Sequence, residues 1–366
     1  MSLDVVAGTA DLVVERQGAA GVIRLNRPKA LNALTLEMTR GIARALDAFE
    51  TDPAVALLLL EGAGDRGLCA GGDIRGLYES ARAKGDLGKT FWREEYIVNA
   101  RIAKYPKPYV AYMDGLVMGG GVGLAGHASH RVVTEKTKVA MPEVGLGFFP
   151  DVGGTWLLSH APGELGTYFG LTGLTMNGAD AVYCGLADVL IQTRDWPALR
   201  ASLTAMLPNV SGTSVMAALK QLAVTDEVGP VTQQRDLIDR AFAHDSVEEI
   251  VAALERDGSD FARATLKALA DKSPRGLKVT LKLLRLARTS VSLEECLCRE
   301  YLAALEVFDS HDFVEGVRAA IIDKDRNPSW QPPDLKGVTP DIVARYLAKR
   351  DVELTFEQQE RHEGRT

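Results

Sequence analysis

Gly67-Leu-Cys-Ala-Gly-Gly-Asp73 and Gly115-Leu-Val-Met-Gly-Gly-Gly-Val-Gly123 are the stretches on which the reading of this chain turns. Each follows an apolar run, Val55 to Leu60 and Tyr109 to Met113, and the first of these is wholly aliphatic, of the kind that forms a strand buried on both faces. Each also leads into a helical pattern. Consecutive glycines at such a junction permit unusual dihedrals and close approach, and the helix start leaves N–H groups without intrahelical partners. One such turn is ordinary turn chemistry. Two of them, about 48 residues apart, can converge two N–H donors on one oxygen, which is what an oxyanion hole for a thioester or enolate needs.

Working outward, Leu12 to Glu15 and Gly21 to Asn26 read as a hairpin around Arg16-Gln17-Gly18. Apolar residues Met38, Ile42, Ala45, Leu46 and Phe49 then recur at helical spacing after Thr35, a suitable N-cap. Asp73 is expected to cap a helix beginning at Ile74, within a polar helical region spanning 74 to 104. Short strands at Arg131 to Thr134 and Lys138 to Met141 lead into Pro142-Glu143 and a loop from Gly145 to Gly154. Beyond about residue 155 helical patterns dominate, and Gln358 to Thr366 reads as a frayed end.

Bulk properties narrow the function classes. The 366 residues carry a net charge of -7, with 42 Lys and Arg scattered among 49 Asp and Glu, so no basic stripe marks a nucleic-acid partner. Cys69, Cys184, Cys296 and Cys298 form neither a disulfide framework nor a zinc pattern. No apolar run approaches the length of a membrane span, and the N-terminus lacks the features of a signal or transit peptide, so a cytoplasmic protein is expected.

Cys69-Ala-Gly-Gly-Asp-Ile74, Asp114-Gly-Leu-Val-Met-Gly-Gly-Gly-Val-Gly-Leu124 and Met141-Pro-Glu-Val-Gly-Leu-Gly-Phe-Phe-Pro-Asp-Val-Gly-Gly154 resemble, in order and spacing, the hallmark segments of the crotonase (enoyl-CoA hydratase/isomerase) superfamily. The resemblance implies an α/β fold. It places a crotonase-like ββα spiral core in residues 1–200 and, in 201–366, a helical C-terminal region that covers the active site or builds a homo-oligomer. It also implies that the N–H groups of Gly72 and Gly120 form the oxyanion hole for an acyl-CoA substrate, with Glu143 as a catalytic carboxylate. Hydratases of the superfamily carry a second glutamate on the helix after the glycine turn, and here that position is Gly123. Water addition to a double bond needs both groups.

Phe91-Trp-Arg-Glu-Glu-Tyr96, Phe149-Pro-Asp151, Asp312-Phe-Val-Glu-Gly-Val-Arg318 and Ile322-Asp-Lys-Asp325 extend the likeness to the 3-hydroxyisobutyryl-CoA hydrolases within that superfamily. This implies that Asp151 joins Glu143 in catalysis, that Glu95 lines the acyl pocket, and that the reaction is thioester hydrolysis in valine breakdown. Lys29 stands where family members often meet CoA phosphates, although a solvated turn lysine fits the local sequence as well. No metal and no cofactor beyond the CoA of the substrate is implied. Either Glu143 attacks the thioester to form a mixed anhydride, or it acts as general base for water.

Competing motifs fail on context. Gly121-Val-Gly-Leu-Ala-Gly126 satisfies a dinucleotide fingerprint, but four residues separate it from the next strand, too few for a crossover helix. Ala83 to Thr90 approximates a phosphate loop without the buried strand that must precede one. His127 and His130 lack a third ligand cluster, and no Gly-x-Ser-x-Gly string occurs.

Overall fold

The computed structural model describes residues 3–356, and the stretch 358–366 lies outside them. Strands β1 (Leu12–Gln17) and β2 (Ala20–Leu25) form the expected antiparallel hairpin. β3 (Leu57–Gly62), β5 (Tyr109–Met113), β7 (His130–Thr134) and β9 (Val189–Ile191) then add in parallel, giving a six-stranded sheet of order β1-β2-β3-β5-β7-β9. Three short strands, β4 (Gly67–Cys69), β6 (Leu116–Met118) and β8 (Lys138–Ala140), make a second, parallel sheet of order β4-β6-β8.

The chain winds through one unit three times. Each of β3, β5 and β7 is followed at once by a short strand of the second sheet and then by a helical segment: Ile74–Arg82, Gly120–Ala125, and the 3-10 turn Glu143–Leu146. Because β4, β6 and β8 are neighbours, the three segments that leave their carboxyl ends come together. In parallel sheets that end is where ligands bind.

Side-chain alternation explains why the aliphatic strands are buried on both faces. Leu57 and Leu59 join Val22, Val110 and Val132 in a core closed by Trp196, Leu199 and Leu203. Leu58 and Leu60 point the other way, with Ile23, Tyr109, Ala111 and Met113, into the larger core. Burying a leucine is worth about 1.5–3 kcal/mol, so a polar residue at any of these positions would weaken one of the two layers. The larger core runs from Val6 to Leu354 and takes in the helices Pro274–Ala287 and Leu293–Phe308, so the helical region packs directly on the spiral.

Thr35 caps the helix Leu36–Thr51, accepting from the N–H of Met38 at 3.2 Å. Asp73 does not cap the helix Ile74–Arg82; its carboxylate meets Arg27 at 3.1 Å instead. For a carboxylate, a guanidinium partner outweighs one backbone N–H donor. The region 74 to 104 is two helices, Ile74–Arg82 and Leu87–Ala103, parted where Lys84 adopts a left-handed φ of 54°. Strands β4, β6 and β9, each three residues long, carry no alternation long enough to read.

Candidate active site

The first glycine turn is pinned to the segment after β2: the N–H of Leu34 donates to Gly71 O at 2.9 Å, and that of Asp73 donates to Leu34 O at 2.7 Å. Gly72 lies between these bonds. Its N–H, like that of Gly120 at the start of the next helix, donates no hydrogen bond among the described residues. The two turns touch, since a Cβ built on Gly120 would stand 3.5 Å from Gly72 N. Gly119 has φ 49° and ψ -120°, a conformation open in practice to glycine alone. A Cβ there would also come within 2.8 Å of Glu143 Oε1.

Gly72 and Gly120 face one cavity of about 410 Å³ together with Glu95, Glu143 and Asp151. Glu95 comes from the helix Leu87–Ala103, Glu143 opens the 3-10 turn after β8, and Asp151 follows Pro150 on the loop beyond it. Trp92, Phe148 and Phe313 supply apolar wall, with Trp92 stacked on Phe148 at 5.1 Å and edge-on to Phe313 at 6.1 Å. Phe313 belongs to the helix His311–Val317, so the far C-terminal region closes the pocket. Lys29 is exposed on the 3-10 turn Pro28–Ala30, outside this lining. A cleft of about 550 Å³ beside β9 is larger, but neither of the two glycine turns reaches it and Glu95, Glu143 and Asp151 do not line it.

The three carboxyls are buried, and burial favours the neutral acid. Burial, then the charges of Asp151 and Glu143, push the Glu95 carboxyl well above the usual range. Burial, then Asp151, does the same to Glu143. Burial raises Asp151 to about 7, against the pull of a 2.7 Å hydrogen bond that its Oδ2 accepts from the Tyr96 hydroxyl. Each of these charges opposes its neighbours, so the group titrates as a unit. Glu95 Oε1 and Glu143 Oε2 have no partner among the described residues, so both are free for a ligand.

Gly123 is the position of the absent second glutamate, and the structure closes it. A Cβ there would lie 2.7 Å from Val152 Cβ and 2.9 Å from Asn99 Nδ2. Val152 takes that space because it holds φ 54°, which is rare for a β-branched residue and costs on the order of 1–3 kcal/mol. Three buried side chains secure its loop. Tyr96 holds Asp151, the His127 ring Nε2 donates to Val152 O at 2.8 Å, and Glu300 accepts from Gly153 N at 2.7 Å and Thr155 N at 3.1 Å. Burial pushes His127 down to about 4 and Glu300 up to about 8.

Sequence reasoning missed Tyr96, Glu300 and Lys272, the last of which lines the cavity near Gly145. Tyr96 was within reach, being adjacent to Glu95. Glu300 sits 147 residues from the glycine it holds, and nothing local marks it. His130 is structural, its ring nitrogens 2.8 Å from Ser129 Oγ and Gly212 O. Among the described residues no group of three or more His, Cys, Asp or Glu is arranged to hold a metal ion, and no helix is long and apolar enough to cross a membrane.

A family model for enoyl-CoA hydratase/isomerase matches residues 20–347. The rat protein named 3-hydroxyisobutyryl-CoA hydrolase, mitochondrial, is 42% identical over 354 residues, covering 94% of this chain and 91% of its own. Among solved structures, a carnitinyl-CoA dehydratase from Mycobacterium thermoresistibile is 45% identical with a TM-score of 0.90, covering 95% of this chain and 99% of its own. An enoyl-CoA hydratase from Rhodobacter sphaeroides 2.4.1 is 42% identical with a TM-score of 0.84, covering 93% and 97%. The mitochondrial designation of the rat relative gives the expected cytoplasmic location no support.

Proposed function

The chain belongs to the enoyl-CoA hydratase/isomerase family, and from that premise we propose that it hydrolyses a short, branched 3-hydroxyacyl-CoA of the 3-hydroxyisobutyryl type to the free hydroxy acid and CoA. The observation that carries the proposal is the pairing of Glu143 with Asp151 in the cavity of the two glycine turns, while Gly123 is closed by Val152. Hydration needs two carboxylates astride a double bond. Thioester hydrolysis needs one group that acts on the carbonyl carbon or on water and another that moves protons.

In this reading the thioester oxygen accepts from Gly72 N–H and Gly120 N–H. A donor of this kind typically lowers the barrier by about 3 kcal/mol. The proton of Glu143 passes to Asp151, and the Glu143 carboxylate attacks the carbonyl carbon to give a mixed anhydride. CoA leaves as thiol with the proton held on Asp151. Asp151, ionised again, takes a proton from the water that opens the anhydride. In the shorter route the Glu143 carboxylate removes the proton from water, which attacks the thioester directly. Both routes use the same residues and the same oxyanion hole. Glu95 faces the acyl group from the opposite helix, where its unpartnered oxygen is suited to a substrate hydroxyl. Lys29 remains a candidate only for the outer CoA phosphates. The pocket volume and the aromatic wall favour a short acyl chain.

The names of the solved relatives favour a second reading, hydration or dehydration of an enoyl-CoA. Free-thiol release decides between them. With 3-hydroxyisobutyryl-CoA the wild type should release thiol and Glu143→Gln should lose about a thousandfold in kcat, with little change in KM. Equal rates in the two proteins would remove Glu143 from the chemistry. Loss of enoyl absorbance from crotonyl-CoA without thiol release would replace hydrolysis with hydration.

A further inference from the structure

We propose that Tyr96 is a positioning residue for hydrolysis, its hydroxyl holding Oδ2 of Asp151 so that the carboxylate faces Glu143 with one oxygen committed and the other left for water. This rests on the reading that Asp151 acts in turnover.

The geometry has three parts. Tyr96 is fully buried on the helix Leu87–Ala103, next to Glu95, and its ring packs edge-on against Tyr301 at 6.3 Å. Its hydroxyl has one hydrogen bond among the described residues, the 2.7 Å bond to Asp151. A buried phenol needs a partner, and a neutral donor to an anionic acceptor makes a strong one. The loop that carries Asp151 is meanwhile held by His127 and Glu300, so the backbone is fixed independently and the hydroxyl bears on the carboxylate alone.

The same bond governs charge. Asp151 is surrounded by Glu95 and Tyr96 from the helix Leu87–Ala103, by Glu143 from the 3-10 turn, by Glu300 from the helix Leu293–Phe308 and by His127 from the turn before β7. Lys272 lines the same cavity from the turn before the helix Pro274–Ala287. Burial opposes a negative charge on Asp151. Tyr96 supports it, through a hydrogen bond that favours the ionised form. Burial and Asp151 hold the Tyr96 phenol itself well above its ordinary value, so it stays a donor across the working range.

The sign follows from this balance. If Asp151 must be ionised to take a proton, activity rises with pH through its titration. Removing the donor stabilises the neutral acid and moves that limb to higher pH.

The test is Tyr96→Phe, which keeps the ring. Its kcat at pH 7 should fall about fivefold with KM nearly unchanged, its acid limb should move up by about one pH unit, and activity should recover towards wild type at high pH. In an Asp151→Asn background, Tyr96→Phe should add nothing, since it acts through a group already lost. A limb that stays in place, or a Tyr96→Phe effect of full size in the Asp151→Asn protein, would overturn the assignment. So would an unchanged kcat in a folded Tyr96→Phe enzyme. If Tyr96→Phe does not fold, the Asp151→Asn cycle is run with Tyr96→His, which can still donate to position 151 and should retain part of the rate. Complete loss with Tyr96→His in a folded protein would count against a donor role. Full kcat in Asp151→Asn alone would instead refute the role of Asp151 on which the inference stands.

Discussion

Replacing Asp151 with asparagine should reduce turnover to a small residual rate and yet make the folded protein more stable at neutral and alkaline pH. Asp151 is buried, and its carboxyl is raised from 3.8 to about 7. An acid whose value is raised by folding contributes stability that is complete below its unfolded value and is lost as pH rises through its folded value. The interval is roughly three pH units, and at 1.36 kcal/mol per unit it is worth about 4 kcal/mol. About two of those units lie between pH 5 and pH 8. Relative to Asp151→Asn, the wild type should therefore lose roughly 3 kcal/mol across that range, most of it by pH 7. Asparagine keeps the shape and still accepts from Tyr96, so packing should change little. The raised carboxyls of Glu95 and Glu143 act in the same direction, and losing the neighbouring charge relieves both. The assay is urea unfolding of both proteins at pH 5, 6, 7 and 8, analysed by midpoint at constant m, alongside thiol release. Parallel stability profiles would refute the claim that the site holds Asp151 against its own charge.

Gly123→Ala drives a methyl group to within 2.7 Å of Val152 Cβ; the overpacking should cost about 1–3 kcal/mol, and kcat should fall because the displaced loop carries Asp151. A variant with wild-type melting temperature and rate would show that the gap can open freely. Glu300→Ala strands the N–H groups of Gly153 and Thr155, and the loss of stability should be about 3–5 kcal/mol by denaturant unfolding. A loss below 1 kcal/mol would mean that water satisfies the loop. Trp92→Ala removes wall against Phe148 and Phe308; stability should fall by about 3–5 kcal/mol and the preferred acyl chain should lengthen in a thiol-release series. An unchanged chain-length profile would place Trp92 outside the acyl site.

Glycine runs after the aliphatic strands marked both turns, because only a few residue types tolerate such a junction and glycine declares itself locally. Helical spacing located the helix after Thr35, and apolar runs bounded by turn residues located the hairpin and strand β5, because both signals are written into consecutive positions. The resemblance named Glu95, Glu143 and Asp151, and the fold brings all three into one cavity with Gly72 and Gly120. Lys29, named on the same basis, lies outside it. The capping role expected for Asp73 failed because Arg27, distant in sequence, offered a better partner.

By itself, then, the chain order determined which elements form and where the backbone must bend, since those are properties of neighbouring residues. Only the folded structure decided that β4, β6 and β8 are adjacent, so that three successive turns of the spiral deliver two amides and a carboxyl to one place. It likewise decided that Val152 fills the space at Gly123 and that Tyr96, His127 and Glu300 hold the loop bearing Asp151. The physical reason is separation along the chain. Charge, burial and steric exclusion act over a few ångströms in space, and the partners here are 25 to 147 residues apart.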